Sequence, residues 1–215
     1  MRTVIKMVYV VLITALAFLP SAANGYIASF DGDTNAEITG TTGLFSTSVT
    51  FGSTVYDFKG YVDYAVYAPG NYSGNLPIGT EDGYVYAYQI FNSSESDVSV
   101  GQFTIGLGPT IVADNTSSDD SIGLTTGGID ADVSNIAAQS AVYLFFAQGI
   151  TAGNHSNALI FTSPNSYDMG GAYIAGGITG GTFVSLPTPT VPEPVTAVLF
   201  ASGACLVLRK KNKKA

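Results

Sequence analysis

Oxygen ligands stand at alternate positions near residue 31 of this 215-residue chain. The run Asp31-Gly32-Asp33-Thr34-Asn35-Ala36-Glu37 offers Asp31, Asp33, Asn35 and Glu37. Carboxylate and amide oxygens spaced in this way can wrap a hard cation, and Ca²⁺ is the one expected. The run departs from the EF-hand loop. Ala36 stands where glycine makes the sharp turn, and Thr42 where a bidentate glutamate closes the ligand shell. A second acid-rich region holds Asp114, Asp119, Asp120, Asp130 and Asp132. The competing reading of both regions is hydrated turn carboxylates. Beyond calcium, no cofactor is expected. His155, the one histidine, lies in the polar turn Gly153-Asn154-His155-Ser156-Asn157, the usual place for a solvated loop residue. No Gly-x-Ser-x-Gly elbow accompanies it, so a Ser-His-Asp triad has no support. The one cysteine, Cys205, lies far from it near the C-terminus, which leaves zinc without a ligand set. The chain is expected not to be an enzyme.

Tyrosine-rich segments offer a different chemistry. Aromatic faces with polar tips can stack sugars, although core and cross-strand packing is the commoner use. The acids are too scattered to assign a glycosidase pair. Asn-x-Ser/Thr sequons occur at Asn71, Asn92, Asn115 and Asn154, as expected by chance in a Ser/Thr-rich chain.

Charge narrows the partners. Of the 16 acids only Glu193 lies outside residues 24–191. Of the 8 bases, Arg2 and Lys6 precede that body and five follow it, leaving Lys59. The body thus carries fifteen acids against one base, a net charge of −14. Such a field repels phosphate backbones, so no nucleic acid is expected as a partner. The body has no cysteine, so packing or bound metal must stabilise it without disulfides.

The elements that would position these residues are strands. Gly, Thr, Ser, Asn, Tyr, Val and Ile dominate, and no convincing 3.6-residue period occurs. Strands are expected at 44–51, 55–67, 84–91, 97–107, 142–147, 157–162 and 172–186. Within 84–91, Tyr84, Tyr86, Tyr88 and Ile90 share one face, and Val85, Ala87 and Gln89 the other. Turn clusters fall at 68–71, 79–83, 115–120, 149–154 and 163–165. The pattern allows one short helix at 131–139. Many short strands without intervening helices imply an all-β fold, a β-sandwich over 24–181. Residues 182–190 read as a Thr/Pro linker.

Both ends are apolar. Arg2 and Lys6 precede an apolar run at 7–19, and Ser21 and Ala23 supply small residues at a cleavage site. Residues 1–23 therefore read as a secretory signal peptide. At the other end, residues 195–208 hold no charge. As a helix they would be about 21 Å long, short of a hydrocarbon core of about 30 Å. Thinning of the bilayer and snorkelling of flanking lysines can meet that shortfall. Arg209, Lys210, Lys211, Lys213 and Lys214 form a basic membrane stop, expected to stay cytoplasmic. Pro192 and Pro194 hold the peptide ahead of the apolar run extended, as a processing enzyme could grip it.

The order Val191-Pro192-Glu193-Pro194, apolar run, basic stop over 191–215 resembles the PEP-CTERM sorting signal of bacterial exosortase substrates. A sortase signal has the same layout, and Leu186-Pro187-Thr188-Pro189-Thr190 approaches its LPxTG pattern. Pro189 and Thr190 replace the required Thr and Gly. The body is similar to a secreted β-domain found ahead of PEP-CTERM tails, through Val62-Asp63-Tyr64-Ala65-Val66-Tyr67, Tyr86-Ala87-Tyr88-Gln89-Ile90-Phe91-Asn92 and Leu159-Ile160-Phe161-Thr162-Ser163-Pro164. The resemblance implies export across the inner membrane, transient anchoring by the tail helix, and cleavage by an exosortase-like membrane protease. It also implies a cell-surface or extracellular-matrix role beside exopolysaccharide, in biofilm or floc. The alternative is an exported carbohydrate-binding or carbohydrate-acting protein on the same anchor.

Overall fold

A computed structural model describes residues 30, 33–74, 83–108, 111, 113–119, 128–137, 139–176 and 180–190. The expected signal peptide (1–23), Asp31 and the whole sorting segment (191–215) lie outside the described residues. The described residues are all-β: eleven strands in two sheets and no helix.

The first sheet runs β1-β3-β4-β9-β6, with β2 also on β3. Its organiser is β3 (Thr54–Tyr67), long enough to hold two partners on one side. Its first half pairs with β2 (Phe45–Phe51) through a two-residue turn, where Gly52 takes φ 62°. Its second half pairs with β1 (Ile38–Thr41). On the other side lie β4 (Tyr84–Asn92), β9 (Ala158–Ser163) and the edge strand β6 (Asp114–Asp119). The second sheet runs β11-β10-β5-β8-β7, all antiparallel neighbours. Its strands are β5 (Val100–Gly106), β7 (Val133–Ala137), β8 (Ser140–Leu144), β10 (Tyr167–Gly176) and β11 (Gly181–Pro189).

The sheets sandwich one core. Val62, Val66, Tyr86, Tyr88, Ile90, Leu159 and Phe161 of the first meet Phe103, Ile105, Ala141, Tyr143, Ile174 and Leu186 of the second. The side edges also approach: β11 meets β2 and β3, and β6 meets β7. The alternation expected along β4 holds on both faces. Tyr86, Tyr88 and Ile90 enter this core, while Val85 and Ala87 join a second cluster with Phe30, Ala65, Tyr67 and Ile160.

Several boundaries differ from expectation. The Thr/Pro linker at 182–190 is instead strand β11 up to Pro189, paired with β10 from Gly181↔Ala175 to Pro189↔Tyr167. Leu186, Pro187, Thr188 and Pro189 are buried. An edge strand needs ladder donors on one side only, which is why prolines fit here. The stretch expected as one strand at 172–186 is therefore two, β10 and β11. The possible helix at 131–139 is β7, closed onto β8 by a tight turn with Gln139 at φ 66°. The expected turn at 115–120 is largely β6, which has no apolar alternation. It forms because β9 offers it an open edge of backbone groups.

Candidate functional site

The expected calcium ligands meet different fates. Asp33 is a turn residue. One carboxylate oxygen accepts the Asn35 backbone N–H at 3.0 Å, and the other accepts the Tyr67 hydroxyl at 2.8 Å. Its carboxylate thus ties the entry turn to the end of β3. Asn35 and Glu37 are exposed, and the Glu37 N–H donates to the Val66 carbonyl at 2.7 Å. Among the described residues no three His, Cys, Asp or Glu side chains converge as a metal would require.

Asp130 and Asp132 line an open, polar concavity of about 540 Å³ with Thr151 and Asn154. Each is already engaged: Asp130 accepts from the Asn157 amide at 2.8 Å, and Asp132 accepts the Ala147 N–H at 2.8 Å. Asp114 and Asp119 lie on β6, and Asp120 is outside the described residues. His155 is half-buried rather than solvated. Its ring packs on Phe91 at 5.4 Å, and its Nδ1 lies 3.2 Å from the Gln89 amide nitrogen. The Asn92 sequon is structural. That side chain is buried, and its amide donates to the carbonyls of Val98 and Ile150 at 2.8 and 2.7 Å.

The tyrosines that sequence patterning offers to sugars are mostly core. Tyr86 stacks on Phe161 at 4.9 Å, and Tyr61 on Phe91 at 4.5 Å. Tyr86, Tyr88 and Tyr143 are buried, and burial pushes all three phenols well above their ordinary range.

The exposed aromatics lie elsewhere. Core-facing positions on the second sheet alternate with an outer set. One outer row runs by register Phe183, Tyr173, Thr104, Val142, Asn135 across all five strands. The next runs Gly181, Ala175, Gln102, Leu144, Val133. A third holds Ser185, Gly171, Gly106, Ser140 and Ala137, all small. None of these fifteen positions is charged. Phe183 is 78% exposed, and its ring centroid lies 4.9 Å from that of Tyr173. Tyr173 lies over Gly181, where an added Cβ would meet the end of its ring at 2.7 Å and would collide with the Ile174 backbone carbonyl, so only glycine fits there. At one end, Gln102, Leu144 and Ala175 contribute to an open concavity of about 590 Å³, together with Phe146, which is 66% exposed, and Gln148. Sequence reasoning missed these residues. Phe146 and Phe183 carry no motif, and only strand register puts Phe183 beside Tyr173.

No family model, curated protein or solved structure matches the chain.

Proposed function

We propose that the chain is an exported, non-enzymatic cell-surface or extracellular-matrix protein. Residues 1–23 direct export, and residues 191–215 hold the protein briefly in the membrane. An exosortase-like membrane protease cuts at Val191, Pro192, Glu193 and Pro194, and the product serves an exopolysaccharide-associated biofilm or floc. One observation carries this reading: motif, apolar run and five-cation stop follow one another without interruption. β11 ends at Pro189, so the fold would reach almost to the motif and stand close to the membrane surface during processing.

Mass spectrometry of the protein recovered from exosortase-bearing cells tests it. A C-terminus trimmed near the motif is expected. An intact chain through Ala215 rejects the processing.

A second reading, an exported carbohydrate-binding protein on the same anchor, is favoured by the uncharged outer face of the second sheet with its exposed aromatic rings.

A further inference from the structure

We infer that the outer face of the second sheet is a platform for a neutral polysaccharide, with sugar rings laid on Phe183 and Tyr173 and on Phe146. The inference rests on the carbohydrate-binding reading of the body and adds the surface and the ligand chemistry.

Charge is the first argument. Fifteen acids and one base are spread over the body, yet none of the fifteen outer positions in these three rows carries either sign, and Asp168, exposed near the start of β10, lies outside them. An uncharged polymer can lie there without stripping water from a carboxylate. An anionic polymer would meet the field of the whole body.

The second argument is the pairing of exposed rings with neutral hydrogen-bonding groups. Phe183 and Phe146 are 78% and 66% exposed, so neither is a core residue. An aromatic face suits the C–H side of a sugar ring. Gln102, Thr104, Asn135 and Gln148 supply amides and a hydroxyl for sugar hydroxyls. The Gln102 amide already donates to Thr104 at 2.8 Å, which holds both side chains across the strip.

Shape is the third. Gly181 and Ala175 leave the strip low between the Phe183–Tyr173 row and Phe146, and Gly171 and Gly106 keep it low on the other side of that row, where a Cβ added at Gly171 would meet nothing within 4 Å. Five strands each about 4.8 Å wide and three rows each about 6.7 Å long make a strip of roughly 480 Å². A stable protein interface needs about 800 Å² per partner. Two copies of a body at −14 would also repel one another. A polymer chain therefore fits this strip better than a second copy does.

The test is retention of the purified full chain, in mild detergent, on cellulose and in gels containing galactomannan or dextran, with alginate as the anionic control. Retention by at least one neutral polymer and none by alginate is expected. The double substitution Phe183→Ser/Tyr173→Ser, and separately Phe146→Ser, should weaken binding about tenfold or more. Gly171→Glu, whose Cβ enters open space and whose carboxylate charges the strip beside the Phe183–Tyr173 row, should abolish it. Leu44→Ser, exposed in the connection between β1 and β2, should leave it unchanged. Each variant is melted first, and Gly171→Glu keeps the question open to refutation should a ring substitution unfold the chain. No retention on any neutral polymer overturns the carbohydrate-binding reading itself. Retention indifferent to Gly171→Glu overturns the site and leaves that reading standing. Equal retention by alginate overturns the neutral ligand. A dimer in sedimentation that Gly171→Glu dissociates assigns the face to a second copy and overturns the platform.

Discussion

The hydroxyl of Tyr88, on the central strand β4 of the first sheet, donates to the carbonyl of Pro187 on edge strand β11 of the second at 2.5 Å. Tyr143 returns the tie: from β8 of the second sheet it donates to the Ile160 carbonyl on β9 of the first at 2.6 Å. Both phenols are buried, so each sheet fastens the other's backbone across the core. Tyr88→Phe keeps the ring and removes the donor. A loss of about 1–3 kcal/mol is expected, because the carbonyl stays buried without this partner. Denaturant titration measures it; an unchanged midpoint rejects the tie.

Strand β11 belongs to the fold, so where the body is cut decides whether it folds. A chain spanning residues 24–190 should melt cooperatively. One spanning 24–180 loses the buried Leu186 and the Tyr88 acceptor, and bares β10 as a new edge. Weak cooperativity or aggregation is expected in its circular-dichroism melt. Equal melting of the two would restore residues 182–190 to the status of a linker.

Alkali should unfold the body. Burial keeps Tyr86, Tyr88 and Tyr143 neutral in the folded state. In the unfolded chain the same phenols ionise near pH 10. Above about pH 10 the unfolded state therefore binds fewer protons than the native state, and stability falls as pH rises. Below pH 10 these three groups contribute no pH dependence. Absorbance near 295 nm should show part of the tyrosine titration delayed until the circular-dichroism signal is lost. Complete ionisation in a still-folded protein would contradict the burial.

Asp33→Ala removes both the Asn35 and Tyr67 contacts. A destabilisation of about 1–3 kcal/mol is expected, of the same size in EDTA and in millimolar Ca²⁺ if the carboxylate acts only as a turn tie. A loss that grows in Ca²⁺, and not in Mg²⁺, would instead mark a calcium site shared with Asp31 and Glu37, and linkage would supply the extra stability.

Gln139 holds φ 66° in the β7–β8 turn. Left-handed backbone costs a residue with a Cβ about 1 kcal/mol, which glycine avoids. Gln139→Gly should raise the thermal midpoint slightly, by a net gain of up to about 0.6 kcal/mol once glycine's extra chain entropy of about 0.4–1 kcal/mol is subtracted. A lowered midpoint would show that the Gln139 side chain contributes more than the turn costs.

The amino-acid sequence by itself determined which segments alternate. In β4 a two-residue period ties each side chain to one face, and both faces came out as read, Tyr86 and Tyr88 on one and Val85 and Ala87 on the other. The charge imbalance, with Lys59 the single base of the body, is likewise a property of composition. Only the tertiary structure decided the strands that carry no pattern. β6 is Asp-Asn-Thr-Ser-Ser-Asp and β11 carries prolines, yet both are strands, because a neighbour's open edge supplies hydrogen-bond partners that no local propensity encodes. The outer platform was hidden for the same reason. Phe183, Tyr173, Thr104, Val142 and Asn135 lie far apart along the chain, and only the register of five strands sets them in one row. Register is a long-range choice, made by which faces can share the core, and it decides at once which aromatics are buried and which are left facing outward.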